Sequence, residues 1–369
     1  MKLLYIAHIR LPTEKAHGIQ IMEMCSAFVA QGLSVELVVP KRRNPITDDP
    51  FTYHDIKPTF GIRVLPSFDF IRFGRIGFLI GLLSFTASML GYVLFRKGIF
   101  YTRDEFVALC LYLLGKQVVW EGHTGQKSVV VWILLRLHVP IVVITEALRE
   151  LYVSLGARAS TVLVAPDGAD ISRFNIPLTQ AEARKELNLP LDAKIVLYKG
   201  HLYERKGAHT LARAARRLAD VLCVFIGGTE EDVASFRKEF GDEPNVRILG
   251  NRPRHETPIY QKAADILVIP NSAKDDVSKL YTSPMKLFGY MASGVPVVAS
   301  DLPSLREIVD ESMVYFFTPD DSESLAHVIA NVLKEYPIAL KKAEATFAIA
   351  KQYSWDTRAE HILSFIHRP

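Results

Sequence analysis

The sequence predicts an α/β protein of two doubly wound domains, and three observations carry that prediction. At 369 residues the chain exceeds what one hydrophobic core usually holds. Apolar runs of strand length alternate with amphipathic stretches of helical length, and the alternation runs through twice. Between the two series lies Ala165 to Pro177, APDGADISRFNIP, dense in turn formers and read as the junction. The expected divisions are 1–167, 168–350 and a closing helical segment, 351–369.

In the first series KLLYIAHI is strand-like, GIQIMEMCSAFVAQG helical and SVELVVP strand-like; GIFYTRD, QVVWEGH, PIVVIT and TVLVAPDG follow. The second begins with AKIVLYKGHLYERKG and continues through VLCVFIGG, NVRILGN, DILVIPNS, VPVVAS and SMVYFFTP, with helices between. After Asp320 the chain reads as helix, interrupted at YSWD. Ligands of open parallel sheets bind outside the carboxyl ends of the strands. Two such domains are therefore expected to face each other across a cleft lined by those loops.

A hydrophobic content of 49% with 23% charged residues is that of an ordinary globular protein. The net charge of +4 suits an acidic substrate or an anionic surface, but no Lys/Arg tract interleaved with aromatics supports nucleic-acid binding. Cys25, Cys110 and Cys223 lie in apolar surroundings without CxxC or Cys/His spacing, so buried free thiols are expected and no metal site. The start, MKLLYIAHIRLPTEK, has no apolar region of signal length and reads as a first strand, which predicts a cytoplasmic protein. One segment qualifies that placement. FLIGLLSFTASMLGYVLF, Phe78 to Phe95, runs eighteen residues without a charge between Arg72 and Arg75 on one side and Arg96 and Lys97 on the other. A helix of the first domain is the first expectation, and contact with the cytoplasmic membrane face over 72–97 is the alternative. A membrane crossing would separate strands of one sheet and ranks last.

The residues suited to chemistry sit in loops after strands. GHLYERKGAHTL presents His201, Glu204, Arg205, Lys206 and Gly207 just before a helix, where charge and unpaired N–H groups act on one anion. Read alone, Arg205 and Lys206 fit a solvated turn equally well. A second set strengthens the anion reading. In YTSPMKLFGYMASGVPVVAS, Ser283 is a good N-cap, Pro284 fits the first helical position, and Met285 to Ala292 reads as helix with Lys286 in its opening turn. Ser293-Gly294 is its stop and Val295 to Ala299 a buried strand. Gly289 falls inside that helix, where it costs about 1 kcal/mol relative to alanine. In the first domain, His17-Gly18 of IRLPTEKAHGIQ precedes a helix, the glycine letting a ligand approach the backbone, although the stretch is no GxGxxG. His123 of VVWEGHTG follows a strand beside Glu121, and a structural or a site-lining role fits it about equally.

Taken together, GHLYERKG, ADILVIPNS, SPMKLFGYMASGVPVVASDLPSLREIV, PDGADISRF and the closing YSWDTRAEHIL resemble the retaining glycosyltransferases of family 4, the glycosyl transferases group 1, which have the GT-B fold. LPTEKAHGIQIMEMCSAF also looks family-like. The resemblance implies a nucleotide-diphosphate sugar bound mainly to the C-terminal domain, a glycan or lipid-linked acceptor on the N-terminal one, retention of configuration and no required metal or other cofactor. It places a basic pair for the donor diphosphate at His201 and Lys206, with arginine the more usual residue at the first and Arg205 available to compensate. Backbone amides around Ser283, Pro284, Met285 and Lys286 would hold the phosphates, His17 and Gly18 would sit over the donor, and His123 would line the sugar near the reacting carbon. The helix after Trp355 would cross back to the first domain.

The family's two glutamates, one for the donor sugar and one for the ribose hydroxyls, fall at Tyr281 and Gly289. Neither is a carboxylate here. Tyr281 keeps a hydroxyl to offer a sugar, whereas Gly289 offers the ribose no side chain. That departure supports an alternative of another class: a degenerate GT-B scaffold with weak or no transfer, partner to an active glycosyltransferase. The retained ERKG and SPMK argue for the enzyme.

Overall fold

The structure, a computed structural model, describes residues 1 to 367. It divides into two compact units, Met1–Pro166 with Trp355 onward, and Asp167–Ser354.

Unit 1 runs β1 (Lys2–Ile6), α1 (Ala16–Ala30), β2 (Ser34–Pro40), α2 (Pro50–His54), β3 (Gly61–Leu65), α3 (Gly74–Val93) and β4 (Ile99–Thr102). It continues with α4 (Glu105–Leu113), β5 (Gln117–Gly122), α5 (Val129–Arg136), β6 (Ile141–Val143), α6 (Glu146–Ser154) and β7 (Val162–Val164). The seven strands form one sheet in the order β3-β2-β1-β4-β5-β6-β7, every neighbouring pair parallel. The central strands are buried on both faces, as their unbroken apolar runs require. The sequence reading missed β3. It is an edge strand whose Arg63 and Val64 are exposed, so it carries neither an unbroken apolar run nor a clear alternation.

Unit 2 contains α7 (Gln180–Glu186), β8 (Lys194–Lys199), α8 (Ala208–Ala215), β9 (Val221–Ile226), α9 (Glu230–Phe240), β10 (Val246–Gly250), α10 (Thr257–Ala263) and β11 (Ile266–Ile269). There follow α11 (Asp276–Lys279), α12 (Met285–Ser293), β12 (Val297–Ser300), α13 (Pro303–Arg306), β13 (Tyr315–Phe317), α14 (Ser322–Lys334) and α15 (Tyr336–Ala350). Its sheet is parallel in the order β10-β9-β8-β11-β12-β13. The strand order reverses at β8, so the loops after β8 and β11 flank the switch point where ligands of such sheets bind. The last helix, α16 (Trp355–Ile366), belongs to unit 1 and packs on α1. Its buried face, Trp355, Arg358, Ala359, Ile362 and Leu363, has helical spacing.

Three local expectations are corrected. The first helix begins at Ala16, so His17 and Gly18 lie in its first turn rather than ahead of it. Pro284, with φ −78° and ψ 107°, occupies the N-cap of α12, and Ser283 stands outside the helix, its Oγ accepting the Asp167 N–H at 2.9 Å. The strand after α12 starts at Val297, two residues late, once Gly294 has closed the helix at φ 66°. Cys25 and Cys223 are buried thiols, while Cys110 is half-buried.

Candidate functional site

In unit 2 the carboxyl ends of β8 and β11 carry the predicted anion-binding segments. After β8 the chain turns through Glu204–Lys206 and enters α8 at Gly207, whose φ is 75°. A Cβ there would lie 1.5 Å from the Pro270 carbonyl oxygen, so only glycine lets this turn lie against the loop after β11. Ser272 N–H donates to the Arg205 carbonyl at 3.1 Å and ties the two loops together. Tyr198, at the end of β8, is buried, and its hydroxyl donates to the His201 carbonyl at 2.6 Å.

The turn sorts its charges. Glu204 and Arg205 are exposed, Glu204 lying 3.3 Å from Lys274 Nζ and Arg205 over the Tyr203 ring at 5.8 Å. Lys206 turns inward. Burial and then the Arg205 charge lower its ammonium pKa, against the pull of Asp275. Lys286, from the first turn of α12, sits 4.8 Å from the centroid of the Tyr198 ring. Its Nζ is shielded from water and, among the described residues, has no hydrogen-bond partner. Burial and then Lys206 hold its pKa well below the usual lysine range. The shielded ammonium of Lys286 and that of the half-buried Lys206 thus repel each other beside the N-terminus of a nine-residue helix. An anion there satisfies both cations and the opening amides of α12 at once.

His201 is half-buried; its ring stacks on Tyr203 at 4.7 Å and its Nδ1 lies 3.7 Å from an Asp232 carboxylate oxygen. Tyr281 is half-buried and Met285 opens α12. Gly289 is buried in α12, and the ring of Phe174, from the loop after Asp167, fills the space beside it. A Cβ at Gly289 would lie 3.0 Å from Phe174 Cζ. The glycine therefore accommodates an aromatic ring, and that ring stands where a side chain at 289 would begin.

In unit 1 the corresponding residues gather around Glu121, the fully buried penultimate residue of β5. Its Oε1 accepts from Arg358 Nη2 at 2.7 Å and Gln20 Nε2 at 2.7 Å, and lies 2.8 Å from His123 Nε2; its Oε2 accepts from Tyr5 Oη at 3.3 Å. Burial alone raises this carboxyl, yet Arg358, His123 and Arg103 together hold it well below the usual carboxylate range. An ionised carboxylate accepts, so His123 presents Nε2–H to it. Arg358 also donates through Nε to the Ala165 and Pro166 carbonyls at 3.1 and 3.0 Å.

Arg103, just beyond β4, donates to Gln20 Oε1 at 3.0 Å. Burial, then Arg103 and Lys15, push His17 down to about 4, which keeps its imidazole neutral at pH 7. His17 and His123 are close enough for their charges to interact. Packing itself requires Gly18: a Cβ there would meet Thr13 Cγ2 at 2.4 Å and His54 Cε1 at 3.1 Å. The sequence reading missed Arg103 and Arg358. The helical spacing of the buried residues in YSWDTRAEHIL is the signal that places Arg358 inward.

Residues 179–353 match the family model for glycosyl transferases group 1. Over 232 residues the chain is 28% identical to the D-inositol 3-phosphate glycosyltransferase of Corynebacterium aurimucosum, covering 58% of this chain and 53% of that one. The chain spans about half the length of the curated relatives it matches. Among solved structures, HepE of Anabaena in complex with UDP and glucose superposes with a TM-score of 0.80 at 18% identity, covering 100% of both chains. Sucrose-phosphate synthase of Thermosynechococcus elongatus gives 0.79 at 18% identity, covering 99% of this chain and 98% of its own. The chain accordingly has the GT-B fold, and its residues 179–353 are similar to the glycosyl transferases group 1.

Proposed function

We propose that this protein is a retaining glycosyltransferase that moves a sugar from a nucleotide-diphosphate donor to a glycan or lipid-linked acceptor. One observation carries the reading: the shielded Lys286 ammonium in the first turn of α12 is repelled by that of Lys206, a half-buried residue of the turn before α8. A doubly charged diphosphate relieves that repulsion. As the glycosidic bond to the phosphate breaks, negative charge grows on the leaving oxygen, and the same two cations and the α12 amides stabilise it where it forms. This arrangement supplies the charge neutralisation that a metal ion would otherwise provide, so the proposed reaction requires none. Arg205 and His201 stand at the rim of the same turn, and the acceptor is assigned to unit 1, where Glu121 holds His123. No enzymic nucleophile is assigned. That relatives act on D-inositol 3-phosphate and that HepE was solved with UDP support an anionic or polyol acceptor and a nucleoside-diphosphate donor.

The test is calorimetric binding of UDP-, GDP- and ADP-sugars to the whole chain. One of them binds, and Lys206→Met and Lys286→Met each weaken that binding about ten- to a hundredfold, the worth of a charge-assisted hydrogen bond. Absence of binding by all three sinks the proposal. Phe174 beside Gly289 supports the second reading, a scaffold without efficient transfer, because it leaves no carboxylate at 289 for a ribose. Donor binding without donor hydrolysis or transfer favours the scaffold. We place the protein at a membrane surface, because the apolar helix α3 lies at the surface of unit 1.

A further inference from the structure

Helix α3 is a surface helix with its polarity missing. Its inward stripe, Gly77, Gly81, Phe85, Met89 and Val93, repeats every four residues and is buried. The outward stripe of such a helix is ordinarily polar. Here it is Ile76, Leu79, Ile80 and Leu83, exposed by 73, 52, 39 and 49%, with Phe73 and Phe68 beside them at 61 and 63%.

The loop before the helix is pinned in place. Ser84 Oγ accepts the Phe68 N–H at 2.9 Å, and a Cβ at Gly81 would crowd the Phe68 carbonyl oxygen at 3.1 Å. Phe68 and Phe70 stack at 6.0 Å, and Phe70 meets Phe73 at 6.1 Å. Folding therefore fixes these aromatics in the open.

The charge along this stretch of chain is nearly all of one sign. Between Pro58 and Arg103 the single acid is Asp69, against Arg63, Arg72, Arg75, Arg96, Lys97 and Arg103. The Asp69 carboxylate accepts the Arg43 N–H at 2.8 Å, while Arg43, Arg72 and Arg75 are themselves exposed. Apolar side chains ringed by exposed arginines match the headgroup layer of an anionic bilayer.

We propose that the loop 66–73 and the first half of α3 form a foot that lies in the headgroup layer of an anionic membrane without crossing it. The helix has the length and hydropathy of a span, at 20 residues and mean hydropathy 1.8. Yet β3 before it and β4 after it belong to one sheet, and its inward stripe is packed in unit 1. Crossing would unpack that stripe.

The foot is continuous with the site. His8, just past β1, packs its ring on Phe78 at 5.4 Å and on Phe85 at 5.5 Å, and Arg42, just past β2, reaches its Nε2 at 2.6 Å. The start of α3 thus stands at the carboxyl end of the sheet, the end that carries His17, Arg103 and His123. Resting on the transferase reading, this geometry makes the acceptor a lipid-linked molecule taken from the bilayer surface.

Flotation of the whole chain with vesicles tests the foot without donor or turnover, so its failure leaves the transferase reading standing and the converse also holds. At low salt the chain floats with 1:1 phosphatidylglycerol:phosphatidylcholine vesicles and not with phosphatidylcholine alone. Ile76→Glu/Leu79→Glu reduces partitioning more than tenfold, and each of Arg72→Glu and Arg75→Glu at least about fivefold. Leu113→Glu, at the exposed end of α4, leaves it unchanged. No flotation, or equal flotation of Ile76→Glu/Leu79→Glu, overturns the proposal. So does a dimer in light scattering that the same double substitution dissolves in a chain that ignores vesicles, since a second copy then covers the face. Resistance to carbonate extraction overturns the non-crossing placement.

Discussion

Both units gather cations at the carboxyl end of a parallel sheet, and they treat them oppositely. In unit 1 the buried Arg358 meets the buried Glu121 at 2.7 Å, with Gln20, Tyr5 and His123 completing the carboxylate's shell. In unit 2 the shielded Lys286 ammonium has, among the described residues, no hydrogen-bond partner, and it shares its surroundings with a second ammonium. A network closed within the protein fixes geometry and has little charge left for a ligand. An open one waits for an anion, and the difference separates a positioning device from a binding site.

The comparison breaks most violently at Arg358. Its replacement by methionine strands a buried carboxylate, and urea unfolding should show a loss of about 3–5 kcal/mol. Glu121→Gln in the same chain restores part of that loss, since no charge is then left unpaired. An Arg358→Met chain as stable as the parent would mean that the network is closed by water instead.

A middle-sized effect is expected at Lys286, and of opposite sign. Its pKa is lowered in the folded chain, chiefly by burial, and sits near 10.4 in the unfolded one. Between those values the unfolded state binds more protons, so stability rises with pH across that window. In the unliganded chain at low salt, the melting temperature should climb by about 2–4 °C as pH approaches the ordinary lysine value. Lys286→Met flattens that slope, and so does a saturating nucleoside diphosphate. A slope unchanged by both would show that the ammonium is not confined as described.

The smallest effect sharpens the role of Gly289. Alanine there gains about 1 kcal/mol of helix propensity but presses its Cβ on Phe174, so the net change is near zero. In a Phe174→Ala background the same substitution should become stabilising, with a coupling of about 0.5–1 kcal/mol in a double-mutant cycle. Zero coupling would free Gly289 from the ring.

The second sheet was legible because each of its strands is a short apolar run bounded by Gly, Pro or Asn, and Lys206 and Lys286 were legible because each opens a helix after a strand. Less local facts were not. Ser283 looks like a cap from sequence, yet its hydroxyl is taken by Asp167, 116 positions away. Gly18 and Gly289 both suggested a ligand. Each also lies against side chains that local sequence does not indicate, Gly18 against Thr13 and His54 and Gly289 against Phe174. Edge strand β3 escaped because one exposed side lacks the apolar alternation on which the reading depends.

The pairing of Glu121 with Arg358 also sets an order of events during synthesis. The two residues are 237 positions apart. At ordinary translation rates the carboxylate leaves the ribosome roughly 10–50 s ahead of its counter-ion. All of unit 2 is made in the interval. Until Arg358 emerges, a nascent unit 1 either stays open around β5 or closes with Glu121 protonated, because burial by itself raises that carboxyl. The last helix made is therefore the one that completes the first sheet begun.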